Sequence, residues 1–94
     1  MIIDFHAHAF PDSLAPRAMQ TLSAGCGIQP CTDGTVSGLI KNMEKAGVDI
    51  SVIQPVATKP SQVDSINNWI AQINNPRIIP FGAIHPDTQD YMQV

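Results

Sequence analysis

Three short apolar runs, residues 2 to 6, 48 to 54 and 77 to 84, are separated by segments of helical periodicity, and this order limits the fold more than any other feature. Strands joined through an intervening helix run parallel, because the crossover returns the chain to the end of the sheet where it started. The expected architecture is therefore α/β with a parallel sheet. The second run, Val48 to Gln54, is rich in β-branched residues and is stopped by Pro55. The third carries Ile78, Ile79, Phe81 and Ile84, and the first is apolar enough to be buried on both faces, as parallel strands are.

The helical segments differ in how clearly they are marked. Leu14, Ala18 and Leu22 recur at helical spacing and predict a helix over residues 13 to 22, with Ser13 as its cap. Gly25, Gly27, Pro30 and Gly34 make residues 23 to 34 an irregular loop. The second helix is the clearest: Val36, Leu39, Ile40 and Met43 form one face, Lys41, Asn42, Glu44 and Lys45 the other, and Gly47 ends it. A third is announced by Pro60-Ser61-Gln62-Val63-Asp64, read as a capping box with Ser61 at the N-cap and Asp64 reciprocating. Its buried stripe is Val63, Ile66, Ile70 and Ile73 with Trp69 beside them, while Asn67 and Asn68 read as solvated. Asn74-Asn75-Pro76 stops it. His85-Pro86-Asp87 forms a turn after the third strand, and Asp87 or Thr88 caps the start of a fourth helix.

Three strands make a poor parallel sheet, because both outer edges carry unpaired backbone groups. Residues 1 to 94 are thus expected to form the opening portion of a larger α/β domain, or to complete their sheet through another chain. A net charge of −3 with 44% hydrophobic residues describes a soluble globular chain of one domain at most. The basic residues Arg17, Lys41, Lys45, Lys59 and Arg77 are scattered, so nucleic acid is not an expected partner. The amino terminus does not read as a secretion signal and no apolar stretch is long enough to span a membrane, so a cytoplasmic address is expected. In that compartment Cys26 and Cys31 are expected as reduced thiols.

Chemistry concentrates at the end of the first strand, Asp4-Phe5-His6-Ala7-His8. Alternation along a strand puts His6 and His8 on one face, able to converge on one metal ion, with Asp4 two residues earlier on that face. Neutral imidazole is a common ligand for zinc, and a catalytic zinc site usually has three protein ligands and an open position, so this pair is an incomplete set. His85, at the C-terminal end of the third strand, is a candidate for supporting the site or touching substrate, against the plainer reading of a histidine that braces its turn. Asp12 and Asp87 follow prolines and read as caps, and Trp69 as core.

The segment Asp4-Phe5-His6-Ala7-His8 resembles the amidohydrolase superfamily signature, a His-x-His pair closing the first barrel strand. The likeness extends to His8-Ala9-Phe10-Pro11-Asp12, to the Gly47-Val48-Asp49 junction and to Phe81-Gly82-Ala83-Ile84-His85-Pro86-Asp87. Together these are similar to the amidohydrolase-related branch that includes aminocarboxymuconate-semialdehyde decarboxylase. The resemblance implies the first three strand-helix units of a (β/α)8 TIM barrel, incomplete in a chain of this length because such barrels typically need about 250 residues. It implies His6 and His8 as metal ligands, Asp4 as support for their orientation, and zinc or, less readily, manganese as cofactor. The further histidine ligand and the metal-bound aspartate that serves as base have no counterpart up to Val94.

Three functions follow as expectations. The first is a metal-dependent hydrolase or carboxy-lyase acting on a small carbonyl or carboxylate substrate. The second is a PHP-type metal phosphoesterase, which also begins with a His-x-His strand but needs a denser ligand set. The third is a non-catalytic fragment or assembly module, with self-association or additional C-terminal strands completing the sheet.

Overall fold

The computed structural model describes residues 1–26 and 32–88. It is a mixed α/β unit: strand β1 (Ile3–Ala7), helices α1 (Ala15–Cys26) and α2 (Val36–Ala46), strand β2 (Ile50–Ile53), a 3-10 turn (Pro60–Gln62) leading into helix α3 (Val63–Ala71), and strand β3 (Ile78–Pro80). The strands form one sheet in the order β1-β2-β3, and both pairings are parallel. All three therefore end on the same side of the sheet, where the loops that follow them gather.

Helix α2 is written locally. Thr35 accepts a hydrogen bond from the Gly38 N–H at its N-cap, and Gly47 adopts a left-handed φ of 74° at the C-terminus and donates to the Met43 carbonyl. Met43 is buried, and Val36, Leu39 and Ile40 pack beside it on a core of Ala9, Ile53, Ile70 and Ile78. The stripe of α3 behaves as its spacing predicts, with Val63, Ile66 and Ile70 buried and Trp69 and Ile73 against the core. At the other end of the sheet, the Arg77 guanidinium donates to the Val48 and Asp49 carbonyls at 2.8 and 3.2 Å, tying the α2–β2 junction to the start of β3.

Several local expectations give way. Ser13 does not cap α1, since the amides of Leu14 and Ala15 both donate to the Pro11 carbonyl, and the helix runs on to Cys26 rather than ending at Leu22. Its buried face is Ala15 with Ala18 and Met19 half-buried, whereas Leu14 and Leu22 are exposed. Gly34 explains that choice. Its φ is +82°, and a Cβ there would stand 2.6 Å from the Met19 side chain, so the loop lies directly on the Ala15/Met19 face. Ser61 is not the N-cap of α3 either. The 3-10 turn replaces the capping box, and Gln62 Oε1 accepts from the N–H and hydroxyl of Thr58 at 2.8 and 2.9 Å.

Burial on both faces holds for β2, where Val52 and Ile53 point to opposite sides and are 1% and 0% exposed. It does not hold for β1, whose Ile3 and Phe5 are exposed, so that strand is covered on one face only. The third strand is also shorter than residues 77 to 84. After Phe81 donates to the Ile53 carbonyl, β2 has ended and Pro55 offers no N–H, so the remaining segment has no ladder to join. Asn67 holds that segment instead: it donates to the Ala83 carbonyl at 2.9 Å and accepts from the Ala83 N–H at 2.7 Å. The expectation of a solvated Asn67 is thereby corrected. The reduced-thiol reading rests partly on Cys31, and the fourth helix on residues past Thr88; both lie outside the described residues.

Candidate functional site

The histidine pair sits where β1 departs from regular pairing. Ile3, Asp4 and Ala7 stand opposite Ile50, Ser51 and Ile53, so between the last two pairs three steps along β1 match two along β2. The extra residue is a bulge around Phe5 and His6. It leaves the His6 N–H off the ladder, and Asp4 Oδ1 accepts it at 3.0 Å in an Asx-type turn.

Register then decides which side chains share a face. Opposed residues of parallel strands point the same way, so Asp4 and Ala7 lie with Ser51 and Ile53. Ala7 and Ala9 are buried and His6 and His8, between and beside them, are exposed on the opposite side. His6 and His8 are brought together as expected. Asp4 does not share their face, because the bulge resets the alternation, and its hydrogen bond is to the backbone of His6 rather than to an imidazole.

The two rings meet edge to face, with centroids 4.9 Å apart and planes inclined at 77°. Two imidazoles bound to one tetrahedral zinc through nitrogens at about 2.0–2.1 Å have ring centres roughly 5 Å apart, so the spacing fits a shared ion. His8 Nδ1 lies 2.8 Å from the Gln54 carbonyl oxygen. A carbonyl can only accept, so the proton of the neutral ring is on Nδ1 and the lone pair on Nε2. Donation from the second ring nitrogen to a backbone carbonyl is how metal-ligating histidines are usually oriented. Among the described residues, no group of three or more His, Cys, Asp or Glu side chains is placed to hold a metal ion. Among the described residues His6 and His8 are thus a pair, one side chain short of the three protein ligands that a catalytic zinc site usually has.

Gln54 is the residue beside the histidine pair that sequence reasoning missed. It follows β2 directly, and its side-chain Nε2 also donates to the Phe5 carbonyl at 2.7 Å. It forms one wall of a cleft of about 370 Å³ between the segments that follow β2 and β3, with Pro55, Val56 and Ala57 on one side and Phe81 to Ile84 on the other. His85 comes next in the chain after that wall. Its Nδ1 accepts from the Asp87 N–H at 3.2 Å and lies 3.9 Å from the Asp87 carboxylate, so its contacts brace its own turn. No clue short of the tertiary fold marks Gln54, because its contacts to Phe5 and His8 span 49 and 46 residues.

No protein-family model, curated protein or solved structure matches the chain. Among the described residues, no helix is long and apolar enough to cross a membrane.

Proposed function

We propose that the chain carries part of the divalent-metal centre of an amidohydrolase-related enzyme, on the opening strand-helix units of a (β/α)8 barrel. The observation that carries this reading is the convergence of His6 and His8 at the C-terminal end of a parallel strand, with the proton of His8 held on Nδ1. Barrel enzymes build their sites on that rim. A divalent ion, zinc or manganese, would lower the pKa of coordinated water and polarise a carbonyl or carboxylate oxygen of a small substrate. His6 and His8 supply lone pairs, the Gln54 carbonyl keeps His8 oriented, and the cleft beyond Gln54 offers Val56, Phe81 and Ile84 as apolar walls for the substrate. The reading requires at least one further ligand and a general base, contributed by other residues of the protein or by a partner.

Metal analysis after equilibration with zinc or manganese tests it. About one equivalent per chain is expected, lost in both His6→Ala and His8→Ala; metal retained at wild-type stoichiometry in both variants would refute the centre.

The assembly reading keeps a claim through one observation. Ile2, Phe5, Phe81 and Ile84, on or next to the two outer strands, are 56%, 65%, 49% and 55% exposed. Apolar side chains of this size, flanking open strand edges, suit a sheet that continues into further strands, from additional chain or a second copy.

A further inference from the structure

We infer that Gln54 is the positioning residue of the histidine pair, setting both the tautomer of His8 and the path of the bulge that carries His6. The inference rests on the metal-centre reading and adds a residue with no ligating role of its own. Gln54 makes three hydrogen bonds to the segment it faces. Its N–H donates to the Ala7 carbonyl at 2.8 Å, its carbonyl accepts from His8 Nδ1 at 2.8 Å, and its side-chain amide donates to the Phe5 carbonyl at 2.7 Å.

Each bond has a distinct consequence. The first is the last ladder bond between β1 and β2, and fixes where β1 stands as it ends. The second leaves His8 Nε2 as the ring's only lone pair. The third reaches into the bulge, where Phe5 has left regular pairing and its carbonyl would otherwise lack a ladder partner. Pro55 reinforces the arrangement, since a residue preceding proline is restricted to extended conformations and the Gln54 carbonyl is thereby held in one direction.

Glutamine is specific in this role. Glutamate has the same reach but cannot donate to a carbonyl when ionised, and asparagine is one methylene shorter. The inference therefore predicts that the side chain matters as a donor, beyond its volume.

The experiment uses the whole chain with zinc chloride as probe and nitrogen-15 NMR of the imidazoles as readout. In metal-free protein at a pH where the ring is neutral, His8 should be found as the Nδ1–H tautomer. An Nε2–H majority at His8 would overturn the inference without any variant being made. Gln54→Glu and Gln54→Leu, which remove the donor to the Phe5 carbonyl, should each lower zinc affinity roughly 10-fold, the lower end of the range for losing support of a ligand, by freeing the bulge that carries His6, while His8 keeps its Nδ1–H tautomer because the Gln54 backbone carbonyl remains. Folding is checked in each by dispersion of the amide spectrum, and Gln54→Asn serves as the milder variant. Variants that stay folded with wild-type zinc affinity would show that the Gln54 side chain positions nothing. Failure of the underlying reading looks different: wild-type protein whose zinc binding is absent, or is indifferent to His6→Ala and His8→Ala, refutes the centre, while the metal-free tautomer still reports on Gln54.

Discussion

At the scale of single residues, Asp4 separates two ways of supporting a metal site. A carboxylate that orients an imidazole acts through its charge, and replacing it with an amide weakens the ligand's basicity. Here Asp4 Oδ1 accepts the His6 N–H at a bulge, a job the asparagine side-chain oxygen performs equally well. Asp4→Asn should therefore keep both stability and zinc affinity near wild type, whereas Asp4→Ala should cost about 1 kcal/mol, the typical loss for an unmet local side-chain-to-backbone bond. Equilibrium urea unfolding and zinc titration of the two variants check this. A strong loss of zinc affinity in Asp4→Asn would restore a charge role for the carboxylate. The sequence made His6 and His8 visible because alternation along a strand is a local rule. The same rule placed Asp4 on the wrong face, since a bulge is one inserted residue that nothing in the spacing announces.

Among the elements, legibility follows the range of the interactions that fix them. Helix α2 could be read from Val36 to Gly47 because its buried stripe and its C-terminal glycine are local signals, and the structure adds Thr35 as its N-cap. The face of α1 was decided elsewhere, by Gly34 lying on Ala15 and Met19, while the entry to α3 was decided by a competing local contact, Thr58 with Gln62, that displaces the capping box. The α2 cap also gives a pH dependence. Asp33 Oδ1 accepts from the Thr35 hydroxyl at 2.7 Å and its N–H at 3.0 Å, and these bonds, hydroxyl first, hold the Asp33 carboxyl below its usual pKa; Lys41 adds a smaller effect in the same direction. A carboxyl whose pKa is lower in the folded than in the unfolded chain stabilises the fold above the unfolded value of about 3.9. That contribution disappears as pH falls through the folded value. The stability difference between wild type and Asp33→Ala, followed by thermal melts, should hold constant from neutral pH to about 5 and shrink below about 4. A difference that grows toward acid would reverse the assignment. Thr35→Ala removes the cap itself and should cost about 1 kcal/mol at neutral pH, seen as a lower urea midpoint with an unchanged slope. Asn67 was misread for the reason Gln54 was missed: its two bonds to Ala83 cross 16 residues. Asn67→Ala should destabilise the chain by roughly 2 kcal/mol, two bonds at about 1 kcal/mol each, and hydrogen exchange should rise at the Ala83 amide.

For the molecule as a whole, the parallel order of the strands was legible because helices between apolar runs permit little else, yet the sheet they form is buried on both faces only at its centre. β2 is covered on both faces, while β1 and the segment after β3 present Ile2, Ile3, Phe5, Phe81 and Ile84 to solvent. Patches of this kind beside open strand edges drive association unless charge or a covering element blocks it. The residues flanking β1 do little to block it: Met1 and Ile2 precede it, and Asp4 is occupied in its bulge. The 94-residue chain should accordingly show a weight-average mass that rises with concentration in sedimentation equilibrium. Ile2→Lys and Phe5→Lys, which put positive charge on the edge strand without touching its ladder bonds, should shift the distribution toward monomer. The measurement also bears on the site. His6 and His8 occupy the end of the same edge strand, so a neighbour pairing with β1 would stand beside them and could provide the ligands they lack. Zinc should then strengthen association in wild type and have no effect in His6→Ala/His8→Ala; a wild-type chain that stays monomeric at all concentrations, with and without zinc, would rule out completion of the site by a second copy.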